Sequence, residues 1–146
     1  MTCVFCGQLN EKIFAKSERC FVIRDRNPAA AEHLLVIPVQ HICNVKTLTS
    51  KDIPLLREME QMGRQALLDL GHPESTHVFG YHIPPVRSVD HLHLHVQALP
   101  YKNLFRQLKY HRSLNKDGSK GLSWFITSTQ AIRTLQTGGK IGITPC

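Results

Sequence analysis

Apolar runs along the chain predict five short strands, at residues 20–25, 33–37, 76–82, 91–97 and 122–127. The first run is closed by the turn-prone Asn27-Pro28. The second is ended by Pro38, and its continuous apolar run is typical of a buried strand. The strands do not alternate regularly with helices, so the pattern favours the α+β class over a parallel sheet with crossover helices.

One long helix is predicted between the second and third of these strands, at residues 33–37 and 76–82. Ser50 is a candidate N-cap, and Pro54 falls in the first turn, where its missing N–H does least harm. A second, short helix is predicted from Ser128 to Gly138. The long helix stops at Gly71, and its apolar and small residues recur at helical spacing: Leu56, Met59, Gly63, Ala66, Leu67 and Leu70.

Length and composition narrow the class of protein. The chain has 146 residues, of which 42% are apolar and 20% charged, as expected for one globular domain. No apolar run reaches the roughly 20 residues that span a bilayer, and we expect neither a secretory signal nor membrane association. Five cysteines without an export signal predict reduced thiols and a cytoplasmic or nuclear protein. The net charge of +7 favours anionic partners.

Three histidines alternate with apolar residues in the segment 91–97. On a strand they would share one face, because successive side chains point to opposite faces. The row is compatible with a metal site or a polar strand face. It is equally compatible with nucleophilic catalysis, since neutral imidazole has a free lone pair near pH 7 and histidine forms covalent intermediates.

The chain resembles the histidine-triad nucleotide hydrolases and transferases. Their signature is His-x-His-x-His followed by two apolar positions, the last of which is Gln97 here. The segments 25–28, 33–38 and 41–42 fall in the family's order, and Gly80 stands where the commonest branch has an asparagine. Residues 80–88 look like the branch that contains aprataxin and the third type of histidine-triad nucleotide-binding protein, and residues 123–127 look closer to the latter.

The resemblance implies a fold and a division of the chain. The fold would be a mainly antiparallel sheet with one long helix and a short C-terminal helix. Residues 1–137 would form the domain. Residues 138–146 would form a tail, which lacks the cysteines and histidines of the aprataxin zinc finger.

The resemblance also assigns roles to individual residues. His93 would attack the α-phosphorus of a purine nucleotide and form a nucleotidyl-histidine, which water then hydrolyses. With an adenosine 5′-phosphoramidate as substrate, this reaction would release AMP. His95 would contact the phosphate, His33 would orient the nucleophile, and Ser88 would lie beside the phosphate and leaving group. In the nucleotide site, Asp25 would hold the ribose hydroxyls. Arg26 stands where other branches of the family have an apolar residue beside the base.

A zinc site is the second expectation from the family. Cys3 and Cys6 form a CxxC pair, which supplies two of the four ligands that a structural zinc needs. In relatives that carry zinc, the other two ligands fall at the positions of His41 and His91. Cys43 is an alternative ligand, although a free buried thiol is the preferred interpretation. No organic cofactor is expected.

Three functions remain open at this stage. The first is an adenosine 5′-phosphoramidase and the second is an aprataxin-like enzyme that removes AMP from 5′-adenylated DNA. The third is a nucleotide-binding or interaction module without activity. The segment 101–120 interleaves basic and aromatic residues and is compatible with weak nucleic-acid binding or with a solvated charged face. The resemblance alone predicts a homodimer.

Overall fold

A single sheet organises the molecule. The computed structural model describes residues 3–7, 12–86, 89–113, 115–144 and 146. Its strands are β1 (Ala15–Lys16), β2 (Cys20–Arg24), β3 (Ala30–Pro38), β4 (His77–His82), β5 (Leu94–Tyr101) and β6 (Phe125–Thr127). Neighbouring strands pair antiparallel in the order β1-β2-β3-β5-β4-β6. The predicted α+β class and mainly antiparallel sheet are confirmed.

Three helices accompany the sheet: α1 (Ile53–Asp69), α2 (Leu104–Lys109) and α3 (Ser128–Gln136). The turn before α1, at Ser50–Asp52, is capped by Thr49, and α3 is capped by Thr127. The predicted caps at Ser50 and Ser128 are therefore each one residue too late. Within the described ranges, no helix is long and apolar enough to cross a membrane.

The two faces of the sheet have different environments. Alternate residues such as Val22, Leu34 and Val96 face α1 and α3 and form the main core with their apolar side chains. Gly63 lets α1 approach the sheet, because a Cβ there would lie 2.5 Å from Cγ2 of Val96. The intervening residues, including His33, face the other way. Both faces of β3 are thus covered, which explains its almost continuous burial.

β5 begins later than the histidine pattern predicts. It starts at Leu94, so His91 and His93 precede it. The two-residue alternation nevertheless extends through this segment, since Leu92, Leu94 and Val96 all lie in the main core. The pairing of β5 with β3 begins at Val36–Leu94. His91 lies outside this ladder, and its side chain donates the Nε2–H to the carbonyl of Pro38, the last residue of β3, at 2.9 Å.

The C-terminal residues pack against the domain. Ile141 is buried in the main core. Lys120 is fully buried, and its ammonium donates to the carbonyl oxygens of Gly121 (2.8 Å), Ile143 (2.8 Å) and Thr144 (3.1 Å). These hydrogen bonds connect Lys120, near the end of the segment 113–121, to residues 143 and 144.

Candidate active site

A cavity of about 540 Å³ opens on the face of the sheet opposite α1. One part of its wall is apolar and comes from Phe5, Ile23 and Leu35. The other part is polar and comes from the end of β2 and the loop after it, from the end of β4, from the start of β5 and the residue before it, and from the end of α2. Its residues are Arg24, Asp25, Arg26, Asn27, His82, His93, His95, Lys109 and Tyr110. An apolar wall beside a few polar groups suits a ligand with a flat base and an anionic end.

His93 presents a free ring nitrogen to this cavity. Its Nδ1 lies 2.7 Å from the carbonyl oxygen of His91 and must donate a proton to it. In the neutral ring, Nε2 therefore carries the lone pair. Burial lowers the pKa of His93, which keeps the ring neutral and nucleophilic at pH 7.

A chain of hydrogen bonds fixes the tautomers of His33 and His95. The backbone N–H of Ala29 donates to Nδ1 of His33 at 3.0 Å, so the proton of the neutral His33 ring is on Nε2. That nitrogen lies 2.9 Å from Nδ1 of His95 and donates to it. His95 must then carry its own proton on Nε2, an atom that is buried and has no partner among the described residues. Because an unpaired buried donor is costly, this N–H favours a ligand that accepts a hydrogen bond.

Asp25 lies at the end of β2, on the rim of the same network. Its Oδ1 accepts the N–H of Asn27 at 2.8 Å, and its Oδ2 lies 3.4 Å from Nε2 of His33. The carboxylate lines the cavity and is partly exposed, with Arg26 next to it on the exposed wall. An acceptor so placed suits a pair of hydroxyl groups.

A metal ion does not fit among Asp25, His33 and His95, although their ligand atoms lie within 4.8 Å of one another. To bind a cation, Nε2 of His33 would have to lose its proton. The proton would then have to sit on Nδ1, where it would oppose the N–H of Ala29. These hydrogen bonds therefore disfavour a metal ion among Asp25, His33 and His95, and among the three histidines of the row they leave His93 with a free lone pair that faces the cavity.

His82 belongs to the site, and the sequence pattern did not reveal it. Its ring lies 4.8 Å from that of His95 and 4.7 Å from that of Tyr110, between centroids. Its Nε2 donates to the carbonyl of Lys109 at 3.0 Å, and burial lowers the pKa of His82 to about 4. Its place on β4, which pairs with β5, is the signal that could have found it.

Gln97, the departure from the family signature, is fully buried beside this network. Its Oε1 accepts the hydroxyl proton of Tyr101 at 2.9 Å, and its amide nitrogen lies 3.5 Å from Nε2 of His33. The oxygen of the side chain is thus satisfied at a position where the signature has an apolar residue.

The four predicted zinc ligands meet at the edge of the cavity. The ligand atoms of Cys3, Cys6, His41 and His91 lie within 4.8 Å of one another. Nδ1 of His91 is 3.3 Å from Sγ of Cys3, 3.4 Å from Sγ of Cys6 and 3.1 Å from Nδ1 of His41. These separations are close to the edges of a tetrahedral zinc site, about 3.3 Å between nitrogens and about 3.5 Å between nitrogen and sulfur.

The tautomer of His91 also fits a metal. Its Nε2 donates to the carbonyl of Pro38, which leaves the lone pair of Nδ1 facing the thiols. Metal-bound histidines usually donate their second nitrogen to such an acceptor. Cys43 is not in this cluster, and the interpretation of it as a buried thiol is wrong. It is exposed, whereas its neighbour Ile42 packs against the main core.

Phe5 connects the cluster to the nucleophile. It lies between the two cysteines in the chain, and its ring contacts His91 and His93 edge-on, at centroid distances of 5.7 and 5.5 Å. Ser88, predicted beside the phosphate, lies outside the described residues.

Comparison with known proteins identifies the family. A family model described as "Scavenger mRNA decapping enzyme C-term binding" matches residues 2–111. Adenosine 5′-monophosphoramidase HINT3 of Danio rerio is 35% identical over 143 residues, which are 94% of this chain and 84% of that protein. The chain belongs to the histidine-triad superfamily of nucleotide hydrolases.

Other histidine-triad proteins show the same relationship. The bifunctional adenosine 5′-phosphosulfate phosphorylase/adenylylsulfatase HINT4 of Arabidopsis thaliana is 41% identical over 74% of this chain and 77% of that protein. Aprataxin of Ciona intestinalis is 29% identical over 90% of this chain but only 33% of its own length. The structure of a HIT family hydrolase from Clostridium thermocellum superimposes with a TM-score of 0.63 at 31% identity, over 69% of this chain and 93% of that one.

Proposed function

We propose that this histidine-triad hydrolase cleaves the P–N bond of adenosine 5′-phosphoramidates and releases AMP. The observation that carries the proposal is the pair of ring nitrogens in one cavity: a lone pair on Nε2 of His93 and an unpaired N–H on Nε2 of His95. The relatives named adenosine 5′-monophosphoramidase support the choice of substrate.

In the first chemical step, Nε2 of His93 bonds to the α-phosphorus and the P–N bond breaks. The amine takes a proton from water as it leaves. His95 donates its Nε2–H to a phosphate oxygen, and its orientation is held by the proton that His33 donates to Nδ1. Because these dipoles are in place before substrate binds, they stabilise the developing charge without reorganisation.

In the second step, water attacks the phosphorus and the bond to His93 breaks. The hydroxyl remains on AMP and the remaining proton goes to solvent. The ribose hydroxyls would donate to Asp25, and the base would lie on the apolar wall formed by Phe5, Ile23 and Leu35. We propose Ser88 as a further contact of the phosphate.

A trapped intermediate tests this proposal. After incubation with an adenosine phosphoramidate and rapid acid-free denaturation, mass spectrometry should find one AMP adduct on His93. His93→Ala should lose the adduct and at least about a thousandfold in kcat, as expected for removal of a nucleophile, while AMP still binds. The exposed His111 provides the matched control: His111→Ala should keep adduct and turnover. Turnover by His93→Ala at the parent rate would refute the proposal.

The cysteine and histidine cluster is proposed to hold one structural zinc. Four protein ligands leave no position for water, so the ion would stabilise the fold around Phe5. Ligand thiols must stay reduced, which is in keeping with a cytoplasmic or nuclear protein.

A homodimer is proposed as the working form. Leu104, Phe105 and Leu108 of α2 are 70%, 79% and 55% exposed, and the indole of Trp124 donates to the carbonyl of Lys109 at the end of that helix. An apolar group of this kind on a surface is typical of an association site. Light scattering should show a dimer that Phe105→Glu dissociates, and a monomeric parent protein would refute this.

Removal of AMP from 5′-adenylated DNA is the second candidate function. It is favoured by basic residues near the cavity mouth, such as Arg106, which donates to Asn27 at 2.7 Å. The chemistry at His93 would be unchanged, and only the leaving group would differ.

A further inference from the structure

The thiols of Cys3 and Cys6 form a pair at the edge of the cavity. The N–H groups of Cys6 and Gly7 donate to the carbonyl oxygen of Cys3, at 3.2 and 3.1 Å, so the segment between the two cysteines is a tight turn. A turn of this kind places the two Cα atoms less than about 7 Å apart, within reach of a disulfide. Both sulfur atoms also approach the same atom, Nδ1 of His91, at 3.3 and 3.4 Å.

This pair is open to solvent on one side and closed on the other. In the cluster of four ligands, Cys6 and His41 are exposed, Cys3 is half-buried and His91 is buried. A small reagent in solution therefore reaches a sulfur of the pair without any opening of the domain. Cys43, which is also exposed, does not belong to a cluster of this kind in the part of the chain that the structure describes.

His91 connects the pair to the nucleophile. Its ring belongs to the cluster, and its carbonyl oxygen accepts the Nδ1–H of His93 at 2.7 Å, which leaves the lone pair on Nε2 of His93. Phe5, between the two cysteines in the chain, packs edge-on against both histidines and lines the cavity. A change of geometry at the two thiols therefore acts directly on the position and the tautomer of His93.

We propose that Cys3 and Cys6 are a site of reversible oxidation, at which a peroxide converts the two thiols into a disulfide, releases the metal and thereby disables His93. The inference rests on the proposed structural zinc and on the proposed nucleotidyl transfer. A disulfide and a zinc site exclude each other here, because two sulfurs on one zinc are about 3.8 Å apart and those of a disulfide are about 2 Å apart. Only His41 and His91 would remain as ligands.

The oxidation of the pair is balanced by the reduction of peroxide to water. A bound zinc keeps both ligands as thiolates, the form of cysteine that reacts. Sγ of the exposed Cys6 attacks one oxygen of hydrogen peroxide, the O–O bond breaks, and Cys6 becomes a sulfenic acid. Sγ of Cys3 then attacks the sulfur of Cys6, and the S–O bond breaks. Two thiolates, one peroxide and two protons from solvent thus give one disulfide and two waters, and a dithiol reverses the oxidation.

Three readouts on one sample test this inference: zinc release to a chromophoric indicator, alkylation of the thiols followed by mass spectrometry, and phosphoramidate turnover. The tryptic peptide 1–12 contains Cys3 and Cys6 and no other cysteine. After hydrogen peroxide and then catalase, this peptide should resist alkylation and be lighter by two hydrogens. Zinc should be released in step with the disulfide, and kcat/KM should fall about tenfold or more, as expected for a displaced nucleophile. Dithiothreitol with added zinc should restore the starting state.

Two variants separate this pair from the other thiols. Cys43→Ser removes the exposed thiol outside the cluster and should respond to peroxide as the parent does. Cys6→Ser cannot form the disulfide. After peroxide and dithiothreitol, its peptide 1–12 should carry one alkylated cysteine, and peroxide should cause no further loss of its turnover.

The inference would be overturned by zinc-bound protein whose peptide 1–12 stays fully alkylated in peroxide, by a disulfide that forms without zinc release, or by loss of turnover while the peptide is unchanged. Loss of the response in Cys43→Ser would assign the oxidation to another pair and would overturn it as well. Failure of the proposed function gives a different result, because a parent without phosphoramidate turnover would still release zinc and form the disulfide. A zinc-free parent, found before peroxide is added, would refute the metal site on which the inference rests.

Discussion

The histidines of the cavity are kept neutral by burial. Burial lowers the pKa of His33 and His82 to about 4, and that of His95 lies well below its ordinary value. Each ring has at least one nitrogen on a protein acceptor or donor, so its tautomer is defined. The site therefore meets a phosphate group with oriented N–H dipoles rather than with imidazolium charge.

The pH dependence of the reaction follows from the nucleophile. His93 attacks only when it is unprotonated, and its pKa is lowered by burial. We expect kcat/KM for the phosphoramidate to stay constant as the pH falls through 6.5, the ordinary histidine value, and to decrease only at lower pH. Initial rates between pH 4.5 and 8, corrected for uncatalysed hydrolysis, measure this. A half-maximal rate at or above pH 6.5 would contradict it.

Stability should respond to pH in the same range. Between pH 6.5 and 4 the unfolded chain binds protons at His33 and His82 that the folded chain does not, so the free energy of unfolding falls as the pH is lowered. At pH 5 the loss should be about 2 kcal/mol for each of these residues relative to pH 7.5. Urea titrations at the two pH values measure it. In His82→Phe, the free energy of unfolding should fall less between the two pH values, by the contribution of one histidine. An unchanged fall would contradict the expectation.

At the level of the elements, β6 explains why Gly80 replaces an asparagine. β6 pairs with β4 at Gly80–Thr127 and covers that edge. A Cβ at position 80 would lie 2.6 Å from the carbonyl oxygen of Ile126 and would overlap the ring of Phe125. The pairing of β6 with β4 thus requires a residue without a side chain at position 80.

Gly80→Ala should therefore separate β6 from β4. We expect the free energy of unfolding to fall by about 2 kcal/mol or more, as for overpacked cores. Gly142→Ala is the matched control, because a Cβ at position 142 meets only Thr144, at 3.9 Å. Thermal unfolding of both variants gives the answer. Equal melting temperatures would show that β6 yields without loss.

The CxxC segment is the second element with a testable role. Cys3→Ser combined with Cys6→Ser should abolish zinc binding and lower the melting temperature, because a metal that binds only the folded state stabilises it. It should also lower kcat/KM, since Phe5 would lose its position against His93. Elemental analysis of protein purified without an affinity tag should give one zinc per chain, and Cys43→Ser should retain it. Zinc-free parent protein would refute the metal site and leave the catalytic proposal intact.

Sequence patterns predicted the elements better than their ends. α1 and the two faces of the histidine segment follow from periodicity, because spacing alone determines which side chains share a face. The start of β5 at Leu94 does not follow from periodicity, because it depends on which residues of β3 pair with β5. α2 was missed because its six residues are too few to show a helical period and none of its apolar side chains is buried. The burial of Lys120 depends on carbonyl groups more than 20 residues away, which no local pattern contains.

On the scale of the whole molecule, the excess of positive charge is only partly available to an anionic partner. The net charge is +7. Several cations near the cavity already have protein partners: Arg24 pairs with Glu32, and Arg106 donates to Asn27. A small nucleotide needs few charges, whereas a duplex must neutralise several phosphates along its length.

Binding to DNA should therefore be weak and steeply sensitive to salt. If about four basic side chains around α2 contact phosphates, log K should fall against log salt with a slope of about −4, and affinity should drop about a hundredfold or more between 50 and 200 mM salt. Phosphoramidate turnover should change far less over the same range, because its contacts with the histidines are short and partly buried.

Fluorescence anisotropy with an adenylated, nicked duplex, run beside turnover assays, tests both expectations. Lys102→Ala, in the basic segment that leads into α2, should reduce the slope by about one, whereas Lys51→Ala, before α1, should leave it unchanged. A slope well beyond −6, together with more efficient removal of AMP from the duplex than from the phosphoramidate, would contradict the preference for small substrates. The basic segment would then be a nucleic-acid site, and the second candidate function would be the correct one, because only a long interface releases so many counterions.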